Sequence, residues 1–126
     1  MIAVDTNILV RLITRDDESQ VTRAKALFEK NDIFIGKTVL LETEWILRFC
    51  YELSRDAILN ALKNTVGLPQ IMVEDGLAVA RALAFFEEGM DFADAMHLAS
   101  GQDAGQFATF DERLKKRATG HKVILV

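Results

Sequence analysis

Apolar and polar residues along this chain follow two rhythms. Short apolar runs read as strands: MIAV before Asp5, DIFIG at 32–36, QFATF at 106–110 and KVILV at 122–126. Between them, apolar residues recur at helical spacing. TNILVRLI, capped by Thr6 or Asn7, follows the first strand, and an amphipathic helix spans about Glu18 to Lys30. Thr38 caps a helix running to about Leu53, and Ser54 or Arg55 opens one that reaches about Val66. Helices over Glu74–Glu88 and Asp91–Ala104, with a short one over Asp111–Ala118, complete the series. Strands alternating with helices predict an α/β domain with a mainly parallel sheet, in which ligands gather beyond the carboxyl ends of the strands.

The acids are informative because of where they fall in this pattern. Asp5 ends the first strand and Asp111 ends QFATF, each directly before a helix. Were those strands parallel neighbours, both carboxylates would face one crevice; taken singly, each is also a good helix N-cap. In TVLLETEWILRFCYEL, Glu44, Arg48 and Glu52 recur at i, i+4 and i+8 and mark the solvated stripe. Glu42 then falls inside the apolar arc, between Ile46 and Phe49 and near Val39 and Trp45. A lone carboxylate there costs several kcal/mol to desolvate, so it is expected to be protonated, paired or bound to a cation. In DFADAMHLAS, Asp91 reads as an N-cap, whereas Asp94 sits at the polar boundary beside Leu98 and Gly101, with His97 on the polar side.

Composition restricts what such acids can do. At 126 residues, half of them apolar and 27% charged, the chain is expected to be one ordered domain spanning 1–126. No targeting segment or membrane-length apolar run is evident, which suits a cytoplasmic protein. The single Cys50 excludes an internal disulfide and is expected to pack in the core. A net charge of −4 gives no overall attraction for nucleic acid, so any such chemistry must be local. One cysteine and two histidines, His97 and His121, without ligand spacing argue against zinc. Asp5, Glu42, Asp94 and Asp111 have no basic residue on a nearby apolar arc. If they meet, repulsion calls for a hard divalent cation, Mg²⁺ or Mn²⁺.

VDTNILVRL, VLLETEW, DFADAMHLAS and ATFDERL, in this order over nearly the whole length, resemble the PIN-domain family, and most closely the VapC-type toxins of toxin–antitoxin pairs. The resemblance implies a three-layer α/β/α domain around a mainly parallel sheet of four to five strands. It also implies a Mg²⁺- or Mn²⁺-dependent endoribonuclease whose acidic quartet matches Asp5, Glu42, Asp94 and Asp111 as catalytic and metal-binding residues. Thr6, Asn7, Asp91 and Thr109 match supporting polar positions. Such an enzyme activates water to cleave RNA, leaving a 5′-phosphate and a 3′-hydroxyl. Further implications are a VapB-like antitoxin as partner, and a homodimer or toxin–antitoxin hetero-oligomer.

Local positive charge for RNA is offered by Arg11 and Arg15 after the first acid, and by Arg113, Lys115, Lys116 and Arg117 after the last. The same cations also suit a helix C-terminus. Phosphotransfer enzymes that begin with a nucleophilic Asp need a second Asp where this chain has Asn7, and receiver domains need an acidic pair and a late lysine that are not evident. The remaining alternative is a catalytically silent PIN-fold binding or assembly module.

Overall fold

The computed structural model describes residues 1–118 and 120–126, which form two compact units, Met1–Gly76 and Leu77–Val126. In the first, β1 (Ile2–Ala3), β2 (Ile33–Ile35) and β3 (Ile71–Val73) make a parallel sheet with β2 in the centre. Ile33 pairs with Ile2 on one side and with Ile71 on the other. Ile33 and Ile35 are fully buried, as the middle strand of a covered parallel sheet requires. Helices α1 (Thr6–Thr14), α2 (Glu18–Lys30), α3 (Lys37–Phe49) and α4 (Arg55–Val66) belong to the same unit. Leu9, Leu40, Leu47, Ile58 and Leu62, nearly fully buried, supply its core.

The second unit holds α5 (Gly76–Glu87), α6 (Phe92–Ser100), a 3-10 turn at Gln102–Ala104, and β4 (Phe107–Thr109) paired in parallel with β5 (Val123–Leu125) across α7 (Glu112–Arg117). Phe86 and Phe92 meet edge to face at 5.4 Å and, with Ala82, Ala95 and Met96, form its apolar centre. Gly89, at φ 110°, makes the turn into α6, and a Cβ there would lie 2.5 Å from Arg117 Nη1. The backbone angle demands glycine, whereas the exposed Arg117 guanidinium is the mobile end of a side chain and can move aside.

Among the described residues every strand pair is parallel, as the alternation of elements predicts, with three strands in the first unit and two in the second. β1 pairs with β2 and β4 with β5. The first strand is also shorter than expected and its residues are exposed; burial begins at Val4. β3 is not foreseen by the pattern. Its three residues follow the Pro69 turn without alternation, and only pairing with β2 makes them a strand. Glu74, expected to open a helix, instead extends this ladder through its N–H to the Ile35 carbonyl.

Cys50 lies exposed at the end of α3 rather than in the core. The expected caps at Thr6, Asn7 and Thr38 also shift. Asp5 caps α1, so Thr6 is the first helical residue and is buried. Gly36 precedes α3 without a side-chain cap. Glu74 Oε1 instead accepts from Lys37 N at 2.8 Å, and Lys37 Nζ pairs with Asp75 at 3.2 Å. A carboxylate 37 residues away thus satisfies one orphan amide at the start of the helix that carries Glu42.

Candidate acidic site

Each strand-end acid serves first as a cap. Asp5 Oδ1 accepts from Ile8 N at 3.2 Å, and Asp111 Oδ1 accepts from Arg113 N at 2.8 Å and Leu114 N at 3.2 Å. Thr109 Oγ1 accepts from Asp111 N at 3.0 Å, which fixes the turn out of β4. Asp91 Oδ2 caps α6 by accepting from Asp94 N at 3.1 Å. Capping and cation binding are compatible, since a carboxylate offers more lone pairs than one or two amides consume.

Within the second unit, Asp94 is half-buried on the first turn of α6. Its carboxyl holds its proton more tightly than usual. Burial is the main cause, the charges of Asp91 and Asp111 add to it, and His97 opposes it. Three acids from α6 and the end of β4 therefore share one field. Their oxygens are hard donors, the kind that Mg²⁺ or Mn²⁺ takes. Within neither unit taken alone, among the described residues, do three His, Cys, Asp or Glu side chains stand close enough to hold an ion.

Helix α3 reverses the expectation for its acids. Leu40, Thr43, Glu44 and Leu47, at i, i+3, i+4 and i+7, are the buried arc, while Glu42 is exposed. Trp45 and Phe49 are 52% and 57% exposed, so the arc with the bulkiest rings is the outer face of the helix. Glu44, only 3% exposed, is matched by Arg48 four residues on: Nε to Oε2 at 2.8 Å and Nη2 to Oε1 at 3.3 Å. The guanidinium also stacks 4.5 Å from the Phe49 ring centroid. The desolvation case for Glu42 thus fails, and the buried acid of this helix is Glu44, neutralised by a forked ion pair. The signal available in the sequence was the i, i+4 Glu-to-Arg spacing, which suits internal pairing as well as a wet surface.

The expected RNA contacts differ in setting. Arg11 is held by Gln20 Oε1 at 2.6 Å, the Tyr51 hydroxyl at 3.1 Å and Asp16 at 3.2 Å. Tyr51 also donates to Asp16, which with Thr14 and Arg11 keeps that acid below the usual carboxylate range. This network is legible only in three dimensions. Arg15, in the left-handed region at φ 57°, ends α1 and is exposed, as are Asn7, Arg113 and Lys116. Lys115 donates to the Val123 carbonyl at 3.1 Å. Both histidines are exposed; His121 bonds Gln102 and meets Phe85 edge on.

Among solved structures, the chain is similar to the Mycobacterium tuberculosis toxin VapC20, described as cleaving the sarcin-ricin loop. The two share 21% identity over 94% of this chain and 95% of that one, with a TM-score of 0.46. No curated protein sequence matches the chain. The sequence pattern of the PIN domain matches residues 2–120, running through both units and all four acids, and the chain belongs to the PIN domain family.

Proposed function

We propose that this protein is a metal-dependent endoribonuclease, the toxin of a VapBC-type pair, with Asp5, Glu42, Asp94 and Asp111 as its acidic residues. The observation that carries the reading is the charge crowding at Asp94, where burial, Asp91 and Asp111 all disfavour ionisation. Such crowding is unfavourable for a protein alone and favourable for one that binds a cation. Asp94 and Asp111 would hold Mg²⁺ or Mn²⁺ in the second unit, and Asp5 is the donor offered by the first. Glu42 enters through the resemblance of VLLETEW, and its exposed carboxylate is free of any desolvation cost. When bound, the ion supplies charge that lowers the pKa of water and offsets charge on the scissile phosphate.

The residues of the chain do the rest. Thr109 and the first amides of α7 fix Asp111, while Ile8 N fixes Asp5, so both acids are oriented before substrate arrives. Arg15, Arg113 and Lys116 are exposed cations suited to backbone phosphates, whereas Arg11 is ordered by Gln20 and its charge is largely met by Asp16. A VapB-like antitoxin and self-association belong to the same proposal. The exposed Trp45 and Phe49 on α3 give an apolar surface for assembly. No helix among the described residues is long and apolar enough to cross a membrane.

The test is cleavage of mixed RNA with Mg²⁺ or Mn²⁺ and with EDTA, comparing wild type with folded Asp5→Asn and Asp94→Asn proteins. Metal-dependent cleavage lost in both variants supports the proposal. Equal inertness of all three proteins removes it in favour of a silent binding module.

A further inference from the structure

The first unit contains a cavity of about 380 Å³ between α1 and α2, and Asp5 forms part of its wall. Its size lies at the lower end of the range of ligand pockets, roughly 300–1,000 Å³. Ile8 and Leu27 line its apolar side, and Arg11, Gln20 and Arg23 its polar side. Gln20 and Leu27 stand seven residues apart on α2, with Arg23 between them, so one face of that helix looks into the space.

The polar groups are arranged in advance. Arg11 Nε donates to Gln20 Oε1 at 2.6 Å, so the other end of the Gln20 amide, its NH₂, is left as a donor. Arg11 is itself anchored by Asp16 and Tyr51, and much of its charge is answered there. An anion is therefore a poor occupant, the more so beside Asp5. A flat, uncharged ring with acceptors on its edge satisfies both sides of the cavity. Arg23, exposed at the same place, suits an attached phosphate. Resting on the ribonuclease reading, we propose that this cavity seats one nucleobase of the RNA strand next to the cleaved bond, selected through the Gln20 amide and packed against Ile8 and Leu27.

Two measurements test this. In the first, cleavage sites are mapped on a randomised RNA pool with wild type, Gln20→Ala and Leu27→Trp proteins, each checked for wild-type circular dichroism. In the second, binding of single-stranded A, C, G and U octamers is measured on the Asp94→Asn protein with and without each substitution. Wild type should prefer one base at one position beside the cut, and octamer binding should show the same order. Gln20→Ala should flatten that preference about three- to tenfold while leaving other positions unchanged, the size of one hydrogen bond from the amide NH₂. Leu27→Trp should weaken the favoured octamer most. Base-independent binding, or a preference untouched by both substitutions, overturns the inference while leaving the nuclease intact. Absence of any metal-dependent cleavage by wild type instead removes the ribonuclease reading, and the octamers then decide on the cavity alone. Should both substitutions spare RNA selection yet weaken capture of the co-expressed antitoxin, the cavity is a peptide seat and the proposal is overturned.

Discussion

Helices α3 and α6 each carry an acid near their apolar side, and the two resolve the cost of burial in opposite ways. Glu44 on α3 is sunk in the core and answered within one turn by Arg48, so its charge is spent inside the helix. Asp94 on α6 is half-buried: burial first, and then the charges of Asp91 and Asp111, make its carboxyl hold its proton, while His97 opposes them. A buried charge that is paired is a structural feature; a crowded charge of one sign points to a ligand. The strongest test of this difference is Asp94→Asn, which should lower RNA cleavage about 100- to 1,000-fold in single-turnover assays while leaving the fold intact. Activity within a few-fold of wild type would place Asp94 on a par with Glu44.

The counterpart on α3 concerns stability. Arg48→Ala leaves Glu44 buried without its partner, and because Arg48 is 38% exposed the cost is discounted to about 1–3 kcal/mol in urea unfolding. Replacing both, Glu44→Leu with Arg48→Met, should restore most of that loss. A double variant as unstable as Arg48→Ala would mean that the apolar surroundings do not close over the site.

Why α6 was legible in the sequence and α3 was not follows from the same contrast. DFADAMHLAS declares its cap, its apolar side and its boundary acid within ten residues, all by local rules. On α3 two arcs compete, one through Leu40, Thr43, Glu44 and Leu47 and one containing Trp45 and Phe49. Hydrophobic content favours the aromatic arc, whereas packing against α1 and α4 selects the other. The same limit explains β3 and the cap on α3. Ile71–Val73 becomes a strand only beside β2, and Glu74 caps Lys37 only because that strand delivers it there. The strand-end acids Asp5 and Asp111 were readable because a strand followed at once by a helix has few other ways to place an Asp.

A smaller effect at Asp94 depends on pH. A carboxyl whose folded pKa is raised binds its proton more tightly when folded. The stability it allows is therefore fully present below the ordinary value of 3.8 and is eroded as pH rises through the folded value. In EDTA, Asp94→Asn should melt above wild type near neutral pH, and the two curves should converge in acid below that value. Adding Mg²⁺ should raise the melting temperature of wild type more than that of the variant. A variant that melts below wild type at neutral pH would show that Asp94 is satisfied by partners rather than crowded.

The smallest expected change is at Glu42, and it tests which face of α3 is buried. With Glu42 exposed and Glu44 enclosed, Glu42→Ala removes a wet side chain from a helix whose core contacts lie elsewhere, and alanine is the better helix former. Unfolding stability should stay within about 0.5 kcal/mol of wild type, even if RNA cleavage falls. Were Glu42→Ala instead to shift stability by more than about 1 kcal/mol while Glu44→Gln did not, the helix would pack on the arc of Trp45 and Phe49. The contrast between a paired acid on α3 and a crowded one on α6 would then have to be redrawn around Glu42.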